Sequence, residues 1–138
     1  MAIFVEIVTP QKSLFSGEVT MVSMPGEDGD MGVLGGHAPL LTTLGLGEIV
    51  LHKSDGTEHL AVNGGVAEVR PDKVTILADD AENADEIDIA LAEEARRNAE
   101  ESLAEGGSSH GEHTPPELNA LRWNLLRLKV ARKRQSGS

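Results

Sequence analysis

Residues 48–63 read EIVLHKSDGTEHLAVN and carry the clearest structural signal in the chain. Two short runs rich in aliphatic residues, Glu48–Lys53 and Thr57–Asn63, flank the dipeptide Asp55-Gly56. An Asp-Gly pair favours a type I′ turn, because both central residues of that turn need a positive φ. We therefore predict an antiparallel β-hairpin. Its predicted register pairs Ser54 with Thr57, Lys53 with Glu58 and His52 with His59.

Similar short runs fill the rest of the first 80 or so residues. Gly, Pro or Asp interrupts them every eight to twelve residues or so, which is the spacing of a β-sandwich. Pro71-Asp72 predicts another tight turn. No helical pattern separates the runs, so an antiparallel sandwich is favoured over βαβ units. The predicted strands are Ile3–Val8, Glu18–Met24, Gly32–Leu34, Leu40–Leu44, Glu48–Lys53, Thr57–Asn63, Val66–Arg70 and Lys73–Ala78.

The remainder of the chain changes to a helical period. Acidic residues at 85, 86 and 88 suit a helix N-terminus, and an Ala-rich stripe follows. Thr114-Pro115-Pro116-Glu117 predicts the start of a second helix, with Thr at the N-cap, Pro at N1 and Glu at N3. We predict an α+β protein with a sandwich at 1–82 and an antiparallel helical hairpin at 83–138. The predicted apolar positions are Ile87, Leu91, Ala95, Ala99 and Leu103 in the first helix, and Leu118, Leu121, Leu125 and Leu128 in the second.

Composition excludes several classes of protein. With 23 acids against 12 bases, the net charge of −11 disfavours nucleic acid or anionic lipid as a general partner. The absence of cysteine removes disulfides, thiolate zinc sites and cysteine nucleophiles. No apolar run approaches the roughly 18 residues of a membrane span, and residues 1–20 lack the layout of a secretory signal.

Motifs that carry chemistry are absent. The sequence contains no P-loop, no G-x-S-x-G and no H-E-x-x-H, so we expect no catalytic residue. His110 and His113 predict a polar loop rather than a zinc site, because further ligands are lacking. His52 and His59 predict a cross-strand pair. The turn at 27–30 lacks EF-hand spacing, so no metal site is expected.

The charge of the hairpin is asymmetric. Residues 85–105 hold eight acids, whereas the last helix is basic. Its cations either complement the helix dipole on a solvated face or form a docking surface for an acidic partner. Trp123 lies off the leucine positions and either anchors a partner or covers the sandwich. The basic residues are Arg122, Arg127, Lys129, Arg132, Lys133 and Arg134.

Three segments together resemble a known family. They are MGVLGGHAPLL at 31–41, VNGGVAEV at 62–69 and DKVTILA at 72–78. In this combination they closely resemble the epsilon subunit of F-type ATP synthase of the bacterial type, and the resemblance extends over essentially the whole chain. It implies a ten-stranded sandwich followed by a two-helix hairpin.

The resemblance also implies function and partners. It implies a non-catalytic subunit of the rotary central stalk, which couples proton flow to ATP synthesis. The sandwich would contact the gamma subunit and the membrane ring of c subunits, at the cytoplasmic face of the cell membrane. Contact with the membrane would be made only through the complex. Asp30 matches a ring-facing acidic position. The segment matching the face toward gamma is His37, Ala38, Pro39, Leu40, Leu41, Thr42 and Thr43, although His37 can also be read as a core histidine bonded to backbone.

In bacterial members the hairpin acts as a brake. The resemblance implies that the six cations of the last helix meet acidic segments of the catalytic alpha and beta subunits and oppose ATP hydrolysis. An Ala-faced helix docks weakly, since an Ala methyl contributes only about 0.8 kcal/mol on burial, so a docked and an extended hairpin lie close in free energy. The alternative hypothesis is a free-standing β-sandwich module whose basic helix binds an acidic protein.

Some members also bind ATP through an Ile-Asp-x-x-Arg-Ala motif and later arginines. Ile87, Asp88 and Ala92 match this motif, but Leu91 stands at the Arg position and removes a cation suited to phosphate. Arg122 and Arg127 are the later candidates. We expect no cofactor, with ATP at most a weak regulatory ligand.

Overall fold

The computed structural model describes residues 2–105 and 116–135. In these residues the α+β prediction is confirmed, with strands followed by two helices. The strands are β1 Ile3–Val8, β2 Ser13–Val19, β3 Met21–Gly26, β4 Gly29–Leu34, β5 Leu40–Lys53, β6 Gly56–Val69, β7 Lys73–Ala78 and β8 Ala81–Asn83. A 3-10 turn at Ala84–Glu86 leads to α1 Ile89–Ala104, and α2 spans Pro116–Gln135.

The strands follow the order β2-β1-β7-β6-β5-β3-β4, and β8 pairs with β6. Only β1 and β7 run parallel within this described sheet. The long strands β5 and β6 belong to both layers of the sandwich. The end of β6 lies between β7 and the start of β5, whereas the first half of β6 pairs with β8 and the second half of β5 pairs with β3. Aliphatic side chains from both layers, such as Val5, Ile49 and Ile76, close the core between them.

Several predicted strand boundaries are wrong. β5 and β6 each contain 14 residues and run through positions at which we predicted breaks, so the described chain has eight strands rather than ten. The predicted strand Glu18–Met24 is divided at Thr20. Its first part belongs to β2. Most of β2 was not predicted, because Ser13 and Ser16 interrupt its apolar residues. β8 is only three residues long, too short to show a period.

The register of the central hairpin also differs from the prediction. Lys53 pairs with Gly56, so Ser54 and Asp55 form the turn. His52 pairs with Thr57, and His59 lies opposite Val50. The predicted turn requires a positive φ at Asp55, but every positive φ in the described residues belongs to glycine, including Gly56. Because the shift is two residues, each side chain keeps the predicted face of the sheet.

Helix α1 begins after an aspartate cap. The side chain of Asp88 accepts a hydrogen bond from the Leu91 backbone N–H at 3.1 Å, which satisfies a free donor of the first turn. The predicted apolar stripe is only partly right, because Leu91 is 59% exposed while Ala92 and Ala99 are buried. A strict four-residue repeat drifts around a helix of 3.6 residues per turn, so the stripe leaves the buried face.

Helix α2 packs against α1 and also covers the sandwich. Leu128 is buried as predicted, but Leu125 is 48% exposed. Because α2 contacts two surfaces, its buried positions form two faces rather than one leucine seam. Trp123 packs with a small cluster at the sandwich. Of its two predicted roles, covering the sandwich or anchoring a partner, the structure thus shows the first. That cluster contains Ala61, Ala84, Ile87, Val130 and Ala131. The predicted cap residues Thr114 and Pro115 lie outside the described residues.

Candidate interaction surfaces

The acidic turn between β3 and β4 lies at the surface. Gly26 pairs with Gly29 and Pro25 with Asp30, and the Asp30 side chain is exposed, as are Glu27 and Asp28. Gly26 also pairs with Leu44, which places this turn beside the middle of β5. The turn thus presents carboxylates to solvent without a cation in ion-pair distance among the described side chains.

The segment that matches the face toward gamma follows β4. His37 is half-buried outside the core, and its Nδ1 lies 2.7 Å from the carbonyl oxygen of Ala38. Leu41 is 70% exposed, and a cavity of about 400 Å³ lies between residues 39–41 and 68–70. Ala38, Pro39, Leu40 and Thr43 are also exposed, whereas Thr42 is half-buried.

An exposed apolar patch extends from Leu41 across the outer face of the same layer. Val66 pairs with Leu77, and both are exposed, Leu77 by 54%. Val66 also pairs with Thr43 on β5, so the patch is continuous with the predicted segment. Val66 and Leu77 are not among the residues predicted from the sequence to face a partner. Their alternation with buried Ala67 and Ile76 is a signal that could have found them.

The basic residues of α2 divide into paired and unpaired groups. Arg127 and Lys133 reach the sandwich, where they bind Glu82 and Glu48. Arg132 reaches Glu93 on α1 at 3.0 Å. Two further cations, Arg122 and Lys129, are exposed and make no ion pair with another described side chain. The side chain of Arg134 lies outside the part of the chain that is described.

Ion pairs also order the start of the hairpin. Lys12 Nζ lies 2.8 Å from Glu86 Oε2, and the amide of Asn83 donates to Glu86 Oε1 at 3.1 Å. These contacts, the Lys12 hydrogen bond first, hold the pKa of Glu86 below its usual value. On α1 the hydrogen bond from Arg96 lowers the pKa of Glu93 in the same way. Glu86 is thereby kept ionised where the sandwich meets the hairpin.

The residues of the nucleotide motif are absent from the described lining of the cavity between the helices. Ile87 is in the buried cluster, Asp88 caps α1, and Ala92 is fully buried. Arg127 is occupied by Glu82, while Arg122 is exposed. A cavity of about 370 Å³ lies between the helices, and the described residues that line it include a carboxylate, Glu117, and no cation.

The histidines form no metal cluster among the described side chains. Within residues 2–105 and 116–135 there is no group of three or more His, Cys, Asp or Glu residues suited to a metal ion. His59 Nδ1 lies 2.8 Å from Glu48 Oε2 and its Nε2 lies 3.2 Å from the Thr57 hydroxyl, so His59 is engaged with protein groups rather than with His52. His110 and His113 fall outside the described ranges. Neither described helix has the length and apolar character needed to cross a membrane.

Comparisons with known proteins agree with this architecture. The family model for the ATP synthase delta/epsilon chain β-sandwich domain matches residues 2–84. An ATP synthase epsilon chain of Dehalococcoides mccartyi is 48% identical over 137 residues, covering 94% of this chain and 92% of the relative. The epsilon chain of Acidithiobacillus ferridurans is 43% identical and covers 99% of this chain and 96% of its own length.

Solved structures share the fold at low sequence identity. A chain in the mitochondrial ATP synthase of Euglena gracilis, in an OSCP/F1/c-ring assembly, has a TM-score of 0.65 at 20% identity, covering 98% of this chain and 80% of that chain. A chain in the central stalk/c-ring structure of the Tetrahymena thermophila mitochondrial ATP synthase has a TM-score of 0.53 at 13% identity, covering 96% of this chain and 95% of that chain. With the match over residues 2–84 and close relatives along nearly its whole length, the chain belongs to the ATP synthase epsilon chain family.

Proposed function

We propose that this protein is a non-catalytic subunit of the central stalk of a proton-translocating F-type ATP synthase. In that role it couples proton flow to ATP synthesis and inhibits ATP hydrolysis through its C-terminal helices. The observation that carries the proposal is family membership over nearly the whole chain, at 48% identity to an ATP synthase epsilon chain. The division into a sandwich at 1–82 and a regulatory hairpin at 83–138 is part of the same proposal.

The sandwich is proposed to bind the gamma subunit and the ring of c subunits. An exposed apolar patch on a soluble domain marks an interaction surface, and the patch formed by Leu41, Val66 and Leu77 is continuous with the segment predicted to face gamma. Asp30 and its neighbours supply a separate acidic contact for the ring. As a member of this complex, the protein is proposed to lie peripherally at the cytoplasmic face of the bacterial cell membrane.

The hairpin is proposed to act as the brake. In the structure it is docked, and Arg127, Arg132 and Lys133 are paired within the chain. Release of α2 from the sandwich would free Arg127 and Lys133 for acidic segments of the catalytic alpha and beta subunits. Opposite charges on two surfaces raise the association rate and set the orientation of binding.

ATP is proposed only as a weak regulatory ligand. Leu91 replaces the arginine of the motif, and the side chain of Arg127 is engaged with Glu82. Trp123 is the only tryptophan in the chain and lies on α2, so its fluorescence reports on the hairpin. Titration with millimolar ATP, supported by calorimetry, tests this part of the proposal.

Deletion of residues 86–138 tests the main function. The assembled complex with the shortened chain should hydrolyse ATP faster than the complex with the full chain, while both chains copurify with gamma. An unchanged rate with intact copurification would remove the brake and leave the coupling role. A full chain that recovers no ATP synthase subunit would contradict the proposal and favour a free-standing module that binds an acidic protein.

A further inference from the structure

Three neighbouring strands bring two carboxylates to either side of one small residue. Ala61 on β6 pairs with Glu48 on β5 and with Glu82 on β8. Paired residues on adjacent strands project on the same face of a sheet, so the row reads Glu48, Ala61, Glu82. Ala61 is fully buried because the Val130 and Ala131 side chains of α2 lie over it.

Each carboxylate of this row binds one cation of α2. Glu82 accepts hydrogen bonds from Arg127, at 2.5 Å from Nε and 3.3 Å from Nη2. Glu48 Oε1 accepts from Lys133 Nζ at 2.5 Å. We call these two contacts the docking pairs. Both carboxylates are largely shielded from solvent, with side-chain exposures of 28% for Glu82 and 13% for Glu48.

The spacing of the docking pairs follows from helix and sheet geometry. Arg127 and Lys133 are six residues apart, or about 9 Å along a helix axis. Glu48 and Glu82 are two strand spacings apart, or about 9.6 Å. On a helical wheel the two cations flank Val130 by about 60° on either side. A helix that crosses the strands with Val130 over Ala61 therefore brings both cations to the carboxylates.

Glu48 is held in place by the sheet as well as by the helix. Its second oxygen, Oε2, lies 2.8 Å from His59 Nδ1. A carboxylate only accepts hydrogen bonds, so His59 donates from Nδ1, and its Nε2 contacts the Thr57 hydroxyl at 3.2 Å. The acceptor for Lys133 is thus oriented by β6 whether or not α2 is present.

We propose that Glu48 and Glu82 are an internal acidic surface that competes with an acidic partner for Arg127 and Lys133, and so sets how often the hairpin leaves the sandwich. This proposal rests on the proposed inhibitory function and names what regulates it. Arg132 does not hold the hairpin to the sandwich, because its partner Glu93 lies on α1 and moves with the hairpin.

The first test uses the full chain alone. Glu48→Gln/Glu82→Gln removes both carboxylates at nearly constant shape. Glu6→Gln/Glu58→Gln is the matched control, because it removes two charges whose partners, Lys73 and Lys53, lie outside α2. Each lost hydrogen bond to a charged group should raise the undocked population by about tenfold or more.

Two readouts report undocking. Trp123 leaves its cluster, so its emission shifts to the red and acrylamide quenching increases. Because the chain has no cysteine, spin labels on Asp72→Cys and Leu125→Cys measure the distance from sandwich to α2, and a longer distance appears in the double variant. Added salt should lengthen the same distance in the chain with native Glu48 and Glu82, since it screens these pairs. This salt dependence can be measured even if the Glu48→Gln/Glu82→Gln variant fails to fold, because it uses the native carboxylates.

A second test separates this proposal from the inhibitory function. In the assembled complex, Glu48→Gln/Glu82→Gln should hydrolyse ATP more slowly than the control variant. Arg127→Gln/Lys133→Gln also frees the hairpin, but it removes the cations that would bind the acidic partner. The complex with this variant should therefore hydrolyse ATP faster than the complex with the control variant. Undocking in the isolated chain without any change in hydrolysis would contradict the inhibitory function alone. Unchanged label distances and Trp123 emission in the folded Glu48→Gln/Glu82→Gln variant, with no response to salt, would overturn the proposal.

Discussion

The carbonyl oxygen of Leu77 lies 2.4 Å from the point at which a Cβ on Gly65 would sit. Gly65 also has a φ of +138°, a conformation that other residues rarely adopt. It follows Gly64 within β6, where that strand passes from β8 to β7. A residue without a side chain is therefore required at the point where the two layers of the sandwich share a strand.

Gly65→Ala should destabilise the sandwich strongly. The added methyl group meets Leu77 and Ala78 backbone atoms that cannot move without breaking the β6–β7 pairing. Strain and overpacking together predict a loss of about 2 to 4 kcal/mol in the free energy of unfolding, measured by urea denaturation. Gly45→Ala is the control, because nothing lies within 4 Å of its Cβ position. Equal stability of the two variants would contradict this assignment.

Leu77→Glu should weaken binding to gamma while preserving the fold. Leu77 is 54% exposed, so its substitution removes apolar contact area without opening a cavity. A charge at the centre of an apolar contact should cost about tenfold or more in affinity, measured as copurification or as a dissociation constant with gamma. Leu91→Glu, on the exposed side of α1, provides the comparison. Loss of binding in both variants alike would argue against a specific apolar patch.

Much of the fold follows from local patterns in the sequence. The two short aliphatic runs on either side of Asp55-Gly56 predict the central hairpin, and the acids before α1 predict its start, where Asp88 is the cap. The register of the hairpin was not predictable in the same way, because Asp55-Gly56 is compatible with more than one turn. Gly56 takes the positive φ, and Asp55 does not.

The contacts of the hairpin depend on tertiary structure. The basic residues of α2 stand out in the sequence, but their partners Glu48 and Glu82 are 85 and 45 residues away. Those acids resemble any other polar residues in strands until β5, β6 and β8 are placed side by side. Periodicity likewise does not show that α2 packs on two surfaces, which is why Leu125 was expected to be buried.

Glu86→Gln should lower stability in a pH-dependent manner. The hydrogen bond from Lys12 lowers the pKa of Glu86 from its usual 4.5. A lowered folded-state pKa gives stability that is present above 4.5 and is lost as the pH falls through the folded value. Because half of each side chain is exposed, the difference from the native chain near pH 7 should be only about 0.5 kcal/mol. Denaturant unfolding at a series of pH values measures it. A stability difference between the two chains that grows as the pH falls would contradict this prediction.

Ala61→Leu should release the hairpin and leave the sandwich folded. Ala61 is fully buried beneath Val130 and faces α2 rather than the sandwich core. A larger side chain there overpacks only the contact with the helix, at a cost of about 1 to 3 kcal/mol. This cost is comparable with what the alanine and valine contacts contribute to docking, so the equilibrium should move toward the undocked hairpin. Trp123 emission should shift to the red while the β-sheet circular dichroism is retained. Ala104→Leu, at the exposed end of α1, should leave both signals unchanged. If Ala61→Leu instead lowered the stability of sandwich and hairpin in one cooperative transition, the two parts would not separate as the proposed brake requires.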